Sequence, residues 1–308
     1  MNMEASPQMK LTSVVPWFGG KRTMASEIIQ QLGKHSYYFE GGFGGLSVLL
    51  PKKPSSHECI CDMHGGVTNL AWCVQSDDLA PELYERLQRV CYGDEIFQAS
   101  KDWLESNEAN CERGGDSPDI DWAYHYFIAS WMGRNGVAGT ARVNYQIATR
   151  WTKGGGSGPL RFRNATESIP QWHDRIRNVH ILRRNLFDVL PKIQDDAGVA
   201  IYVDPPYLTE TFSSNSRYVH DFDGLFDWVQ PDGTILKISK HDALARMLRR
   251  FQKSRVVVSY YDHPQLQSLY PSWTFLDCSR HKHLHVQNKR GSTRTAAPEV
   301  LIVNGPAY

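Results

Sequence analysis

Apolar residues recur along the chain with two alternating periods. From Met24 to Leu32 they fall at Met24, Ile28, Ile29 and Leu32, the spacing of one helix face. Tyr37-Tyr38-Phe39-Glu40 predicts a short buried strand running into a glycine turn, and Leu46 to Leu50 predicts the opening of a second helix. Glu58 to Asp62 reads as a second strand ending in an acid, and Val67 to Val74 as the start of a third helix. Asp78 to Leu104 and Trp122 to Met132 are helical in composition, with glycine-rich polar stretches at Gly133 to Gly139 and Lys153 to Gly158. Strand signals are scarce here, so residues 75–175 are expected to form an inserted, mainly helical domain with loops. Val199 to Val203 is the continuous apolar run of a central parallel strand. Thr234 to Ile238 and Arg255 to Tyr260 look like further strands, with a helix from Ala243 to Phe251 between them. Trp273 to Cys278 and Pro298 to Val303 are suited to a terminal antiparallel hairpin around the basic loop His281 to Arg294. The expected fold class is α/β, a Rossmann-like, mostly parallel sheet closed by a C-terminal antiparallel hairpin. Residues 1–74 and 176–308 would form this domain, with 75–175 inserted.

Composition narrows the class. The 308 residues suffice for a main domain with a substantial insertion. No apolar run reaches the roughly 18–20 residues of a membrane span. The first ten residues lack a secretory apolar core and read as a short leader. Six cysteines include no C-x-x-C pair, which points to reduced thiols in the cytoplasm. A net charge of +1 is uninformative, but its distribution is not. From Gln75 to Ala129 there are thirteen acids and four bases, whereas Ser130 to Arg184 holds ten Lys/Arg and two acids. An arginine-rich block suits a surface that follows phosphates, and equally a solvated face.

Four motifs carry chemistry. Tyr37 to Ser47 joins a strand to a Gly-Gly-Phe-Gly-Gly turn, which lets the backbone approach a ligand closely or makes a tight structural turn. It is not the dinucleotide pattern. Asp62, about twenty residues on, stands where an acid accepts both hydroxyls of a ribose, or caps a helix. Trp17-Phe18-Gly19-Gly20-Lys21 is only superficially a phosphate loop, because Val15 occupies the place of the required first glycine. A lysine on such a turn can instead meet a ligand carboxylate. The most specific signal is Asp204-Pro205-Pro206-Tyr207 directly after the apolar run. Two prolines cannot continue a sheet ladder, so the strand stops there. The acid, the adjoining carbonyl and the ring then surround one small space. An exocyclic amine needs such a place, with acceptors for two hydrogens and a flat surface for its base.

Together these segments resemble the Dam-type DNA adenine-N6 methyltransferases, in the order cofactor motifs, target recognition, catalytic motif, from about Val15 to Asn304. The resemblance implies the S-adenosylmethionine-dependent methyltransferase fold, that cofactor, and double-stranded DNA with the adenine turned out of the helix. It implies catalytic roles for Asp204, Pro205, Pro206 and Tyr207. It implies cofactor contacts from Trp17, Gly20, Lys21, Glu40, Phe43, Gly44, Gly45, Asp62, Asn185, Leu186 and Asp204, with Lys21 on the methionine carboxylate and Asp62 on the ribose. Gly41 and Gly42 stand where the family usually has proline and an aromatic residue. Asn185-Leu186 stands for the Asp-Phe pair beside the cofactor adenine. Arg134-Asn135-Gly136 resembles an element near the target base. Arg134, Asn135, Arg142, Arg150, Lys153, Arg161 and Arg163 are the candidate DNA contacts. Trp131 and Trp151 are candidates for stacking or for core packing. His281, His283 and His285 alternate as on a strand, but further ligands are lacking and no metal is expected. A cognate restriction enzyme is a candidate partner, in a bacterial or bacteriophage-infected cell. Competing readings are a cytosine-N4 methyltransferase, which usually has serine in place of Asp204, and a DNA-binding homologue without turnover. A protein-glutamine methyltransferase, with asparagine in place of the acid, would not explain the basic block.

Overall fold

The computed structural model describes residues 12–113, 115, 117–134, 138, 146–149, 156–208, 222, 224–278, 280–281, 296–297 and 299–308. The leader, and the candidate residues Asn135, Arg142, Arg150, Trp151, Lys153, His283 and His285, lie outside them.

The elements follow in the order α1 (Ala25–Leu32), β1 (Tyr37–Gly41), β2 (His57–Asp62), α2 (Gly65–Gln75), α3 (Leu79–Gln88), α4 (Asp94–Arg113), α5 (Ile120–Met132) and α6 (Gly158–Ile176). After them come β3 (His180–Arg183), α7 (Leu186–Val189), β4 (Val199–Val203), β5 (Leu225–Val229), β6 (Ile235–Ser239), α8 (Lys240–Arg249) and β7 (Arg255–Tyr261). The chain ends with α9 (Leu266–Leu269), β8 (Thr274–Asp277), the two-residue strands β9 (Arg280–His281) and β10 (Ala296–Ala297), and β11 (Glu299–Val303).

Seven of the described strands make one sheet in the order β3-β2-β1-β4-β7-β11-β8. The first five are parallel, and β11 runs antiparallel to both β7 and β8. The two-residue period of a strand sends successive side chains to opposite faces. Tyr38, Ile60, Tyr202 and Val257 therefore belong to one core, with α1, α2, α5 and α6, while Phe39, Cys61, Val203 and Val258 belong to the other, with α7 and α8. The helices between β2 and β3 pack into the first of these cores. Trp172 of α6 is fully buried, and Asn69 of α2 exchanges two hydrogen bonds with the backbone of Asp119, the cap of α5.

The parallel sheet and the closing hairpin are those the apolar pattern predicts, and three details differ. Leu46 to Leu50 forms turns instead of a helix, because Leu46 takes the left-handed conformation at φ 62°, which a continuing helix does not admit. The strand at Thr234 to Ile238 forms, as β6, but among the described residues it pairs only with β5. A turn at Gln230 to Thr234, with Gly233 at φ 85°, folds it back before it reaches the main sheet. The hairpin leaves Leu225, Val229 and Ile235 exposed on its outer face. Finally, α6 begins where a glycine-rich loop ends, with the Ser157 hydroxyl accepting from the Leu160 amide at 3.4 Å.

Candidate active site

Parallel strands end on the same edge, and there the first core face changes from apolar to polar. Tyr38 precedes Glu40 on β1, Ile60 precedes Asp62 on β2, and Tyr202 precedes Asp204 on β4. Val257 precedes Ser259 on β7. Each pair is two residues apart, so each polar group stands on the face of its apolar or aromatic predecessor. A small cleft opens beside them. It is lined by Trp17, Gly20, Lys21, Glu40, Gly42, Phe43, Gly44, Gly45, Ser47, Val48, Tyr202 and Asp204.

Asp204 is tied down from three sides. Its amide donates to the Gly41 carbonyl at 2.9 Å, continuing the β1–β4 ladder by one step. The Ser259 hydroxyl donates to Oδ1 at 2.7 Å, and the Lys21 ammonium lies 2.9 Å from Oδ2. Burial raises the Asp204 pKa above the ordinary carboxylate value, against the opposing pull of Lys21 and Ser259. Lys21 is 3% exposed and also donates to the Gly19 carbonyl at 2.6 Å. An ammonium has three N–H donors, and these two acceptors take two of them. Lys21 also sits 4.9 Å from the centroid of the Tyr207 ring, which packs against Tyr261 at 4.5 Å. Tyr207 is buried, at 3% exposure, and Tyr261 continues its aromatic surface toward solvent. Pro205 is buried and Pro206 half-buried.

Glu40 forms the floor. It is 1% exposed and accepts a 2.8 Å hydrogen bond from the Tyr38 hydroxyl. Burial pushes its pKa up to about 8, opposed by the Tyr38 bond and reinforced by the charge of Asp204. A neutral Glu40 spares the site a second buried negative charge beside Asp204.

The glycine turn is shaped by what presses on it. A side chain at Gly44 would meet the Trp17 indole at 2.7 Å, and one at Gly45 the Val15 carbonyl at 2.8 Å. At Gly42, with φ +74°, it would run into the Asp204 carbonyl oxygen. Asp62 borders this turn without lining the space. Its Oδ2 accepts from the Gly44 amide and its Oδ1 from the His64 amide, both at 2.9 Å.

Asn185 and Leu186 do not line the space either. Asn185 caps α7, accepting from the Phe187 amide at 3.0 Å, and Leu186 packs over Gly41. The structure therefore brings Trp17, Gly20, Lys21, Glu40, Phe43, Gly44, Gly45 and Asp204 together, with Asp62 adjoining and Asn185-Leu186 outside. Val48, Tyr202 and Ser259 were not among the candidate contacts, and neither were Gly42 and Ser47, although both lie in the glycine motif. The signal for two of them is positional. Tyr202 shares a strand face with Asp204, and Ser259 is a small hydroxyl residue directly after Val256-Val257-Val258.

Of the candidate DNA contacts in the described residues, Arg134 and Arg163 are exposed, and Arg161 is half-buried on α6. Burial lowers the Arg161 pKa, and the charge of Arg22, next to Lys21 in the chain, works in the same direction. Phe18 donates to the Ala138 carbonyl at 3.1 Å, a link between the turn that carries Lys21 and the region after α5. Trp131 is a core residue, 6% exposed, with its indole N–H on the Val14 carbonyl at 2.9 Å.

Far along the same sheet face lies a buried ionic cluster. Glu58 accepts both guanidinium nitrogens of Arg175 at 2.6 and 3.0 Å and lies 2.7 Å from the Lys52 ammonium. Burial works to raise the Glu58 pKa, but the bonds from Arg175 and Lys52 prevail and lower it.

Among the described residues no helix is long and apolar enough to cross a membrane, and no group of His, Cys, Asp and Glu is suited to a metal ion. The model of one family, D12 class N6 adenine-specific DNA methyltransferases, matches residues 17–283. Comparison with curated protein sequences gives no significant match.

Proposed function

Because the chain belongs to the D12 class N6 adenine-specific DNA methyltransferase family, a family of DNA-modifying enzymes, we propose that it moves a methyl group from S-adenosylmethionine to N6 of an adenine turned out of double-stranded DNA. The observation that carries the reading is the Asp204 carboxylate, held at the tip of β4 beside the space that Lys21 and the glycine turn enclose.

The donor set fits the cofactor. The Lys21 ammonium, beside the glycine turn, suits the methionine carboxylate, and the carboxylate of Asp62, which holds the Gly44 amide of that turn, suits the ribose hydroxyls. When bound, S-adenosylmethionine supplies a methyl group already activated on a sulfonium. The rest falls to the chain. The adenine amine is a weak nucleophile because its lone pair is delocalised into the ring. Asp204 and the Pro205 carbonyl accept hydrogen bonds from its two N–H groups, which favours rehybridisation and stabilises the positive charge that develops on nitrogen. A buried carboxylate is a stronger acceptor than a solvated one, in keeping with the raised pKa of Asp204. Tyr207 and Tyr261 form the aromatic wall for the base. Extruding it costs a few kcal/mol of pairing and stacking, which contacts to the flanking phosphates must offset. Residues 75–175 would supply these contacts as a target-recognition domain, through Arg134, Arg161 and Arg163 and the other basic residues of that block. Arg22, whose charge acts on Arg161, is a further candidate.

The test is transfer of tritium from labelled S-adenosylmethionine to DNA, followed by digestion to nucleosides. Label in methyladenine is expected. Label in methylcytosine, or cofactor binding with no label in DNA, would refute the proposal. Asp204→Ala should abolish transfer and leave the cofactor dissociation constant within about threefold; retained transfer would remove Asp204 from the chemistry.

A further inference from the structure

We propose that Ser259, backed by Tyr202, is a positioning residue that locks the Asp204 carboxylate in the orientation from which it receives the target amine. The assignment rests on the reading of Asp204 as that acceptor.

The sequence places a hydroxyl where packing alone would favour another valine. Ser259 follows three valines on β7 and is fully buried. A buried hydroxyl is costly unless hydrogen-bonded, so its partners explain its presence. It lies one register step beyond the Val203–Val258 pair, directly across from Asp204. Its proton goes to Asp204 Oδ1 at 2.7 Å. Ser259 Oγ must then accept at its 2.9 Å contact with the Tyr202 hydroxyl, and the phenol is the donor. The chain runs in one direction, from Tyr202 to Ser259 to Asp204, and both hydroxyls stand on strands of the central sheet.

Lys21 is a different kind of partner. Its ammonium rides on a flexible stem and holds Oδ2, and any anion entering the space competes with Asp204 for it. Ser259 ties the carboxylate to the sheet whatever occupies the site, while Tyr207, whose hydroxyl also works to lower the Asp204 pKa, stands beyond the end of β4. Without Ser259 the carboxylate can swing about its side-chain torsions, and a misplacement of about 1 Å costs on the order of 100-fold in rate. The Ser259 hydrogen bond also works to lower the Asp204 pKa, so its loss moves the titration upward.

The experiment compares Ser259→Ala, Ser259→Thr and Tyr202→Phe with the full-length wild-type protein. Single-turnover methylation is measured at saturating DNA and S-adenosylmethionine across pH, with cofactor affinity by calorimetry. In the cofactor-free protein, Asp204 titration is followed by carboxyl carbon-13 resonance. Ser259→Ala should lose about 10- to 100-fold in rate, keep its cofactor dissociation constant within about twofold, and shift both the acid limb of the rate profile and the Asp204 titration to higher pH. Tyr202→Phe should show the same shifts at smaller size, and Ser259→Thr should recover most of the rate. A folded Ser259→Ala with unchanged rate and titration overturns the assignment, as does a rate loss matched by lost cofactor affinity. If Ser259→Ala does not fold, an unshifted titration in Tyr202→Phe overturns it. No transfer to adenine by the wild-type protein overturns the reading of Asp204 and this assignment together, whereas wild-type transfer with unperturbed variants overturns this assignment alone.

Discussion

Replacing Glu40 by glutamine should make the protein more stable at neutral pH while flattening its response to pH. The folded carboxyl titrates at about 8, against 4.5 for an unperturbed glutamate. The folded state therefore keeps a proton that the unfolded chain gives up. Glu40's contribution to stability is fully present below about pH 4.5 and is lost as pH rises through about 8. Within that window each pH unit removes about 1.4 kcal/mol. Between about pH 5.5 and pH 7.5 the wild type should thus lose roughly 2–3 kcal/mol through this group. Glutamine does not ionise, and its amide oxygen can still accept the Tyr38 hydroxyl. Urea unfolding followed by tryptophan fluorescence gives the stability of both proteins across this range, and their difference cancels the other titrating groups. A difference that grows with pH in favour of the variant is expected. Parallel curves would show that Glu40 is ionised in the folded protein and would refute the account of the pocket floor.

Gly42→Ala should damage chemistry more than folding. A left-handed alanine costs about 1–2 kcal/mol, but its methyl group must also displace the Asp204 carbonyl, so kcat should fall on the order of 100-fold with cofactor affinity largely kept. Single-turnover rates decide, and a wild-type rate would mean that the turn relaxes away from Asp204. Glu58→Ala should lower stability by about 3–5 kcal/mol, because it leaves the buried Lys52 and Arg175 without their counter-charge. Thermal and denaturant unfolding measure this, and a loss under about 1 kcal/mol would show that water reaches the cluster.

The parts legible in the sequence were those fixed by local pattern. Val199 to Val203 could be read as a central strand because all five residues are buried, and the prolines after Asp204 mark its end unaided. Partners brought in by pairing across the sheet were not legible. Ser259 carries no motif, and its meaning comes from a register with β4 set by the whole sheet. Nor could local signals show that β6 pairs with β5, since strand propensity does not name the neighbour. Two departures from the family pattern also make sense only together. Leu186 occupies the space over Gly41, where a side chain would meet its methyl group at 2.6 Å. Leu46 could not be read correctly from composition, because a left-handed leucine has no local sequence signature.

The neighbourhood of β1 and β4 has a bearing on synthesis. Ser36 and Gly198, hydrogen-bonded at the start of that pair, are 162 positions apart, and Ser259 comes later still. Contacts of such long range close slowly, because much chain entropy is lost before any contact repays it. A nascent chain will have released Lys21, the glycine turn and Asp62 long before the strand that carries Asp204 can insert beside them. Until then β1 has one edge unfilled and Glu40 has no lid. Methylating capacity should therefore arise late and all at once, after the ribosome has released the segment through Tyr261, and fragments that stop short of it should be inert toward DNA.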